Sequence, residues 1–272
     1  MRFFRQLFIF GYRQALCCIF PVIIFAALAI TKTLHIPYRY DIILFVCLAA
    51  QILMVYFKLE TWDEVKVISL FHLIGLFLEL YKVNITGSWS YPEFAYTKIG
   101  GVPVYSGFMY ASVASYICQA WRRFDLSFHN WPSKRITYPI AFAIYANFFT
   151  NYFLPDLRWL IIASLFIFFY KTYVTFWVND TMYRMNIIVS YLLIGFFIWV
   201  AENISTFFGA WQYPNQKKSW DIVDLSKISS WFLLVIISII IVANLKHIKK
   251  KLQDTIPGNT LPGPLPVPDT NQ

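Results

Sequence analysis

The chain has 272 residues, of which 58% are hydrophobic, 20% are aromatic and only 14% are charged. A soluble domain carries about 25% charged residues, so this composition excludes an ordinary water-soluble fold. The formal net charge of +9 fits the Lys and Arg that collect in the cytoplasmic loops of membrane proteins. No RNA-binding or helix-turn-helix pattern indicates a nucleic-acid partner.

Eight apolar segments follow one another along the chain, and each approaches the length that crosses a bilayer as a helix. In chain order the predicted spans are residues 14–31, 42–57, 65–80, 102–120, 137–154, 159–178, 186–202 and 228–245. In lipid only helices and closed barrels satisfy every backbone polar group, and the alternation of barrel strands is absent from the sequence. The sequence therefore predicts an all-α, polytopic membrane protein with about eight transmembrane helices.

Polar segments flank and divide these spans. Residues 1–13 form an N-terminal segment, residues 121–136 a basic loop, and residues 246–272 a basic and then Pro-rich tail that we expect to be disordered. With both termini in the cytoplasm, fifteen of the 23 Lys and Arg lie inside and eight lie outside. This distribution follows the positive-inside rule and predicts a multi-pass protein of the bacterial inner membrane, the cell membrane, with both termini cytoplasmic.

A six-residue pattern, G-x-W-x-Y-P, occurs at residues 87–92 and again 122 residues later at 209–214. The same shift lays the first four spans onto the last four, which predicts two four-helix repeats at residues 14–120 and 137–245. Because four is an even number, both repeats would have the same orientation and both motifs would lie on the outer side. Such an arrangement is a parallel repeat about an axis along the membrane normal.

Four ionisable side chains are the candidate catalytic residues, because such groups are costly in a membrane and mark functional sites. Glu79 and Glu202 precede the two motifs by eight and seven residues. His72 lies two helical turns before Glu79 on the same predicted face, and Glu93 directly follows the first motif. A buried carboxylic acid could donate a proton. In the alternative interpretation, each glutamate ends a helix at the headgroup region, where Trp or Tyr binds it.

Aromatic and amide side chains are the candidate ligand-binding residues: Trp89, Tyr91, Trp211, Tyr213, Asn147 and Asn151. The motif aromatics prefer the headgroup level, where they form either an anchoring belt or the walls of a lipid-facing cleft. The two asparagines are one turn apart and either bridge helices or line a polar path. No P-loop, metal-spaced His/Cys cluster or serine-hydrolase motif occurs. We therefore expect neither a metal nor a cofactor.

Residues 87–93, followed by the Gly-Gly-Val-Pro of residues 100–103, resemble a bacterial family of integral membrane proteins of unknown function, the YoaT-like family. The resemblance extends from the first span to the eighth and implies a membrane location. More weakly, the W-x-Y segments and the Pro that opens the next helix are similar to membrane carotenoid-modifying proteins, including the small lycopene cyclases. Those cyclases place paired glutamates after that proline, where this chain has Val104, Tyr105 and Ser106.

Three classes of function are compatible with these features. An enzyme acting on a lipid or isoprenoid at the outer side would use Glu79, Glu93 or Glu202 as a general acid, and its tryptophans would stabilise a developing cation. A transporter would use the interface between the repeats as its pathway. A scaffold or lipid-binding protein would have no turnover. The expected partner is the lipid bilayer, with a lipid or isoprenoid as candidate ligand, and the oligomeric state stays open.

Overall fold

The computed structural model describes residues 2–255, with side chains described over residues 3–243. This part of the chain is mostly helical. Its helices are α1 (Arg2–Cys17), α2 (Ile19–Thr33), α3 (Arg39–Tyr56), α4 (Trp62–Asn84), α5 (Ser106–Phe124), α6 (Lys134–Thr150), α7 (Arg158–Phe169), α8 (Ile187–Phe207) and α9 (Lys227–Thr255). Its strands are β1 (Lys98–Ile99), β2 (Val102–Pro103), β3 (Ser127–His129), β4 (Tyr173–Val178) and β5 (Thr181–Asn186).

The predicted spans overlap helices α2 to α9 in order, and the first span also includes the last turn of α1, but these helices differ in length and apolar character. By length and composition, α3 and α8 can cross a membrane, and the pair α1 and α2, bent by 67° at its break, makes a third candidate span. α7 has only 12 residues, about 18 Å of helix, against a hydrocarbon core of about 30 Å. The described residues thus contain two or three candidate membrane spans.

The predicted span at residues 159–178 is wrong in its second half, because α7 ends at Phe169 and residues 173–178 form β4. β4 pairs antiparallel with β5, and β3 pairs with its other edge. The segment is rich in β-branched and aromatic residues, which favour strands. Asn179 has a positive φ of 51°, a backbone conformation common in tight hairpin turns. The expectation of an all-α fold is therefore corrected by this three-stranded sheet.

The sheet and α1 lie at the same end of the helical bundle, which we call the sheet end. Nη1 of Arg13 in α1 donates to the carbonyl oxygens of Trp177 and Arg123, at 3.3 and 3.4 Å. α1 takes in the predicted N-terminal segment 1–13, and β3 lies inside the predicted basic loop 121–136. α9 takes in the start of the predicted tail 246–272, of which residues 256–272 lie outside the described residues.

The opposite end carries both G-x-W-x-Y-P motifs, and we call it the motif end. Buried Arg39, at the start of α3, donates to the carbonyl oxygens of Phe208 and Gly209 just after α8, at 2.6 and 3.1 Å. β1 and β2 form a small hairpin there around Gly100 and Gly101, whose positive φ values of 54° and 80° suit a tight hairpin turn.

Glycines let neighbouring helices approach closely at two equivalent places. A Cβ added to Gly75 of α4 would overlap the Tyr110 ring of α5, and one added to Gly195 of α8 would lie 3.0 Å from the backbone nitrogen of Phe232 in α9. Small residues at helix interfaces are the usual means of close packing in membranes. Each motif loop is thus held between a tightly packed pair of helices, α4 with α5 and α8 with α9.

Candidate functional site

The two motif loops lie side by side at the motif end. The backbone N–H of Ser90 donates to the Gln212 carbonyl at 3.0 Å, and the N–H of Gln212 donates to the Ser90 carbonyl at 2.9 Å. Ser90 and Gln212 occupy the same position in the two copies of the motif. Gly87 and Gly209 both have positive φ, at 59° and 69°, a conformation that glycine adopts easily after a helix end. Equivalent turns therefore bring equivalent residues together.

Glu79 lies near the C-terminal end of α4 and is only 3% exposed. One carboxyl oxygen, Oε2, accepts hydrogen bonds from Trp89 Nε1 at 2.6 Å and from the Tyr91 hydroxyl at 2.7 Å. The other, Oε1, accepts one from the Tyr110 hydroxyl of α5 at 2.9 Å. A buried carboxyl group needs such donors, because leaving it without hydrogen bonds costs several kcal/mol. Two of its three donors come from the motif that follows it.

Glu202 lies in α8 and is 4% exposed. Its Oε1 accepts a hydrogen bond from the Tyr213 hydroxyl of the second motif, and its Oε2 accepts one from Trp231 Nε1 of α9 at 2.7 Å. Each glutamate is therefore bound by an aromatic side chain of its own motif and by one from the next helix. This is the capping by motif Trp or Tyr that the duplicated sequence predicts.

The motif tyrosines remain hydrogen-bond donors at physiological pH. Burial raises the pKa of the Tyr91 hydroxyl well above its usual range, and the neighbouring Glu79 raises it further. Burial and then Glu202 raise the pKa of Tyr213 in the same way. Both phenols therefore keep their protons, and each holds its carboxyl group by donation.

Both glutamates line one cavity of about 250 Å³. Tyr110 and Trp231, whose ring centroids are 6.2 Å apart, line this cavity and also a second one of about 30 Å³. The second cavity is otherwise lined mostly by apolar side chains from α4, α5, α8 and α9: Phe71, Ile74, Leu78, Val113, Ile198, Leu234 and Val235. The larger cavity, which we call the polar cavity because charged side chains line it, thus shares Tyr110 and Trp231 as walls with the smaller, apolar cavity.

Two lysines line the polar cavity, and both contact neutral groups. Lys82 donates to the Asn151 side-chain oxygen at 3.4 Å, and its Nζ lies 4.5 Å from the centroid of the Phe148 ring. Nζ of Lys227, the first residue of α9, lies 4.9 Å from the centroid of the Tyr213 ring and 5.7 Å from that of Trp89. These are cation–π distances.

Arg158, at the start of α7, is the third cation lining the cavity, and it has a charged partner. Its Nη2 lies 3.0 Å from Oδ2 of Asp156. Partial burial raises the pKa of Asp156, but hydrogen bonds from Asn147 and from the Arg158 backbone outweigh this and lower the pKa below its usual range. Asn147 also accepts from the Leu157 backbone at 2.8 Å. Asn147 thus lines the cavity while its amide orders the loop before α7.

The other predicted catalytic residues lie elsewhere. His72 packs on α5, with its ring centroid 4.4 Å from that of Phe108. Its buried Nδ1 has no hydrogen-bond partner among the described residues. Glu93 accepts from Arg39 at 2.9 Å and from Lys32 at 3.5 Å, and so forms a partly exposed ion-pair cluster. The structure therefore brings Glu79 and Glu202 to one cavity but places neither His72 nor Glu93 there.

Of the six predicted ligand-binding residues, all but Tyr91 line the cavity: Trp89, Trp211, Tyr213, Asn147 and Asn151. Tyr91 donates a hydrogen bond to Glu79 but does not line the cavity. Five further side chains complete the site, and the sequence pattern did not predict them: Lys82, Tyr110, Arg158, Lys227 and Trp231. One signal was available, because Tyr110 and Trp231 lie 121 residues apart, close to the 122-residue offset of the motifs.

These features define a class of protein: a mostly helical chain with candidate membrane spans and a pair of buried glutamates beside a duplicated aromatic motif. The chain belongs to the DUF817 family of proteins of unknown function, whose family model matches residues 6–239. It is 57% identical to the uncharacterized protein YoaT of Bacillus subtilis (strain 168) over 253 residues, which are 92% of this chain and 96% of that protein. The expected relationship to the YoaT-like family is confirmed. A solved structure of a cross-linked MvINS trimer shares 11% identity, with a TM-score of 0.49, over 69% of this chain and 95% of that one.

Proposed function

We propose that this protein is a multi-pass membrane enzyme that binds a lipid or isoprenoid between its two halves and exchanges protons with it through Glu79 and Glu202. The observation that supports this most is that both glutamates, each bound by aromatic donors of its own motif, line the same cavity. A general acid or base must lie within hydrogen-bond reach of the group that it protonates or deprotonates. A ligand in this cavity meets that condition for both carboxyl groups.

The proposed topology is eight membrane crossings, α2 to α9, in two parallel four-helix repeats, with both termini cytoplasmic and the motif end outside. The pairing of Ser90 with Gln212 supports the repeat, because reciprocal bonds between equivalent residues imply a local two-fold axis. Cysteines introduced singly at Ser90 and Gln212 should react with an impermeant reagent from outside, and one at Asn130 only after permeabilisation. Labelling of Asn130→Cys in intact cells would contradict the topology.

The chemistry follows from having two carboxyl groups in one partly apolar site. One can act as the acid and the other as the base, as paired carboxyl groups do in many enzymes. For an isoprenoid, Glu79 would give a proton to one carbon of a double bond, which forms a C–H bond and leaves a positive charge on the neighbouring carbon. Loss of a proton from an adjacent carbon to the Glu202 carboxylate forms a new double bond. The net step isomerises the ligand without an oxidant or reductant.

Aromatic rings around the cavity suit such a step. Trp89, Trp211 and Tyr213 all line it, and ring faces stabilise positive charge. The adjoining apolar cavity offers room for the start of a hydrocarbon chain. The weaker similarity to carotenoid-modifying proteins points to the same kind of ligand and stays a prediction.

A transporter is the second candidate, because the cavity lies between the two halves. Its lining comes from α4, α5 and the first motif loop in the first half, and from α6, α7, α8, α9 and the second motif loop in the second. A pathway between two repeats is the usual arrangement in secondary transporters. In that case the glutamates would bind protons that move with the substrate.

The test compares lipids in a deletion strain complemented with wild type, Glu79→Gln, Glu202→Gln or Glu93→Gln, together with lipids that co-purify with each protein. We expect wild type and Glu93→Gln to restore a product that the deletion strain lacks. Glu79→Gln and Glu202→Gln should retain the unmodified lipid and lose at least about 100-fold in product, the effect of removing a general acid or base. Equal lipid profiles in all four strains would refute the enzyme. Loss of uptake into proteoliposomes with unchanged lipids would favour the transporter.

A further inference from the structure

Lys82 and Lys227 are cations in the cavity without an anionic partner at ion-pair distance. Lys82 is 6% exposed, and lysines are almost never this buried unless they are paired. Among residues 3–243, no carboxylate oxygen lies within 4.0 Å of either Nζ atom. Their contacts are instead an amide oxygen and aromatic rings.

Three arginines of the same chain, by contrast, each contact a carboxylate. Arg39 contacts Glu93 at 2.9 Å, Arg122 contacts Glu64 at 2.6 Å, and Arg158 contacts Asp156 at 3.0 Å. The fold thus gives each of these guanidinium groups a carboxylate. The two lysines that face the cavity have no such partner among the described residues, and half-buried Arg13 and Arg123, which lie away from the cavity, donate only to carbonyl and amide oxygens.

Glu79 and Glu202 do not form ion pairs with these two lysines. The Glu79 oxygens accept from one tryptophan and two tyrosines, and the Glu202 oxygens accept from Tyr213 and Trp231. Their hydrogen bonds come from neutral aromatic donors, not from an ammonium group. The cavity therefore presents two ammonium groups with no carboxylate at ion-pair distance among the described residues, although Glu202 and Asp224 attract Lys227, and Asp156 attracts Lys82, from farther away.

We infer that the ligand carries a phosphate or diphosphate headgroup, which binds between Lys82 and Lys227 in the polar cavity while its hydrocarbon chain enters the apolar one. This inference rests on the proposed function and names its ligand class. Lysine is a common point-charge binder of phosphate. Hydroxyl groups of Thr86, Ser88 and Ser230 also line the cavity. The Ser230 hydroxyl can donate to a phosphate oxygen, whereas the Thr86 hydroxyl is hydrogen-bonded to the Lys82 carbonyl and to the Ser88 hydroxyl.

The same geometry argues against a cationic headgroup. An aromatic box can bind an ammonium ligand, but Lys227 already lies over the Trp89 and Tyr213 rings. A second cation there would meet like-charge repulsion in a partly desolvated site. An anionic headgroup instead gains from both lysines.

The experiment measures binding to the full chain in maltoside detergent with four probes: dodecyl phosphate, dodecyl trimethylammonium, inorganic phosphate and inorganic diphosphate. We expect dodecyl phosphate to bind wild type at least tenfold more tightly than dodecyl trimethylammonium does. Lys82→Gln/Lys227→Gln should lose at least tenfold in affinity for dodecyl phosphate. Lys218→Gln, which changes an exposed lysine at the same end, should bind as wild type does. Lys82→Arg/Lys227→Arg should recover most of the affinity, which separates lost charge from misfolding.

The outcomes distinguish the sources of the anion and the two proposals. Weaker binding of inorganic phosphate and diphosphate than of dodecyl phosphate assigns the site to a lipid headgroup, whereas equal binding assigns it to a soluble phosphate. Equal binding of the cationic probe, or wild-type affinity in the Gln double variant, would overturn the inference. Glu79→Gln should still bind dodecyl phosphate, so its loss of product tests proton transfer separately from headgroup binding.

Discussion

Buried carboxyl groups occur at both ends of this bundle, but their surroundings differ. At the motif end, Glu79 and Glu202 accept from Trp and Tyr side chains and line a cavity. At the sheet end, Glu60 and Glu64 are each 2% exposed and line neither of the two cavities found in the described part of the chain. Burial alone therefore does not identify a functional glutamate in this protein.

The sheet-end glutamates connect neighbouring elements. Glu64 completes a capping box with Thr61 at the start of α4 and pairs with Arg122 of α5 at 2.6 Å. Glu60 accepts from Ser115 of α5 and Gln51 of α3, both at 2.5 Å. Each of these carboxyl groups connects neighbouring helices and lines neither cavity, which indicates a structural role. The motif-end pair accepts hydrogen bonds from neutral donors and lines a cavity, as the proposed ligand site requires.

The first expected effect on stability is at the sheet end. Arg122→Ala removes the guanidinium that pairs with buried Glu64. We expect a loss of about 2 kcal/mol, below the 3–5 kcal/mol of a fully buried pair, because the Arg122 side chain is 38% exposed. Thermal denaturation in detergent would measure it, with exposed Lys66→Ala as control. Product formation by the folded fraction should be unchanged, and a direct loss of turnover would break the distinction between the two ends.

Gly75→Ala should damage the motif end through packing. The added methyl group would overlap the Tyr110 ring, and the ring must move away from Glu79, to which its hydroxyl donates. Overpacking of this kind costs about 1–3 kcal/mol. The matched control is Gly11→Ala, where an added Cβ meets no atom within 4 Å. If Gly75→Ala keeps wild-type stability and turnover, Tyr110 is not needed at Glu79.

The two motif tyrosines should differ in importance. Tyr91→Phe leaves Glu79 with Trp89 and Tyr110, whereas Tyr213→Phe leaves Glu202 with Trp231. Losing one buried hydrogen bond costs about 1–2 kcal/mol, and Glu202 has fewer remaining donors. We expect Tyr213→Phe to reduce turnover several-fold more than Tyr91→Phe. Equal effects, measured on the same lipid product, would argue that the two glutamates are equivalent.

The candidate site could be predicted from the sequence only where duplication marked it. Glu79, Glu202 and the motif aromatics follow from the repeated pattern, because two copies of one turn predict two copies of its contacts. Lys82 could not be assigned, since its approach to the cavity depends on how the helices pack, and for Tyr110 and Trp231 the only signal was their spacing of 121 residues. The apolar pattern also predicted a single helical span at residues 159–178, whose second half is a strand, because a short apolar run does not distinguish a helix from a strand.

The smallest expected effect concerns Glu60, which lies in the loop between α3 and α4. Burial raises the pKa of Glu60 above its ordinary value of 4.5, although hydrogen bonds from Ser115 and Gln51 lower it in part. A raised pKa in the folded state means that Glu60 contributes stability that is complete below pH 4.5 and is lost as the pH rises through the raised value. Gln at this position does not titrate, and the unpartnered side-chain oxygen of Gln51 could accept its N–H after an amide flip.

The denaturation midpoint of Glu60→Gln, relative to wild type, should therefore increase between pH 5 and pH 8, by about 2–4 °C for each kcal/mol of difference. Ser115→Ala removes a donor that lowers the Glu60 pKa, so it should steepen the loss of stability with pH. Parallel pH profiles for wild type, Glu60→Gln and Ser115→Ala would show that Glu60 keeps one protonation state throughout. Product formation should survive Glu60→Gln at both pH values, because this carboxyl group joins helices and does not face the ligand.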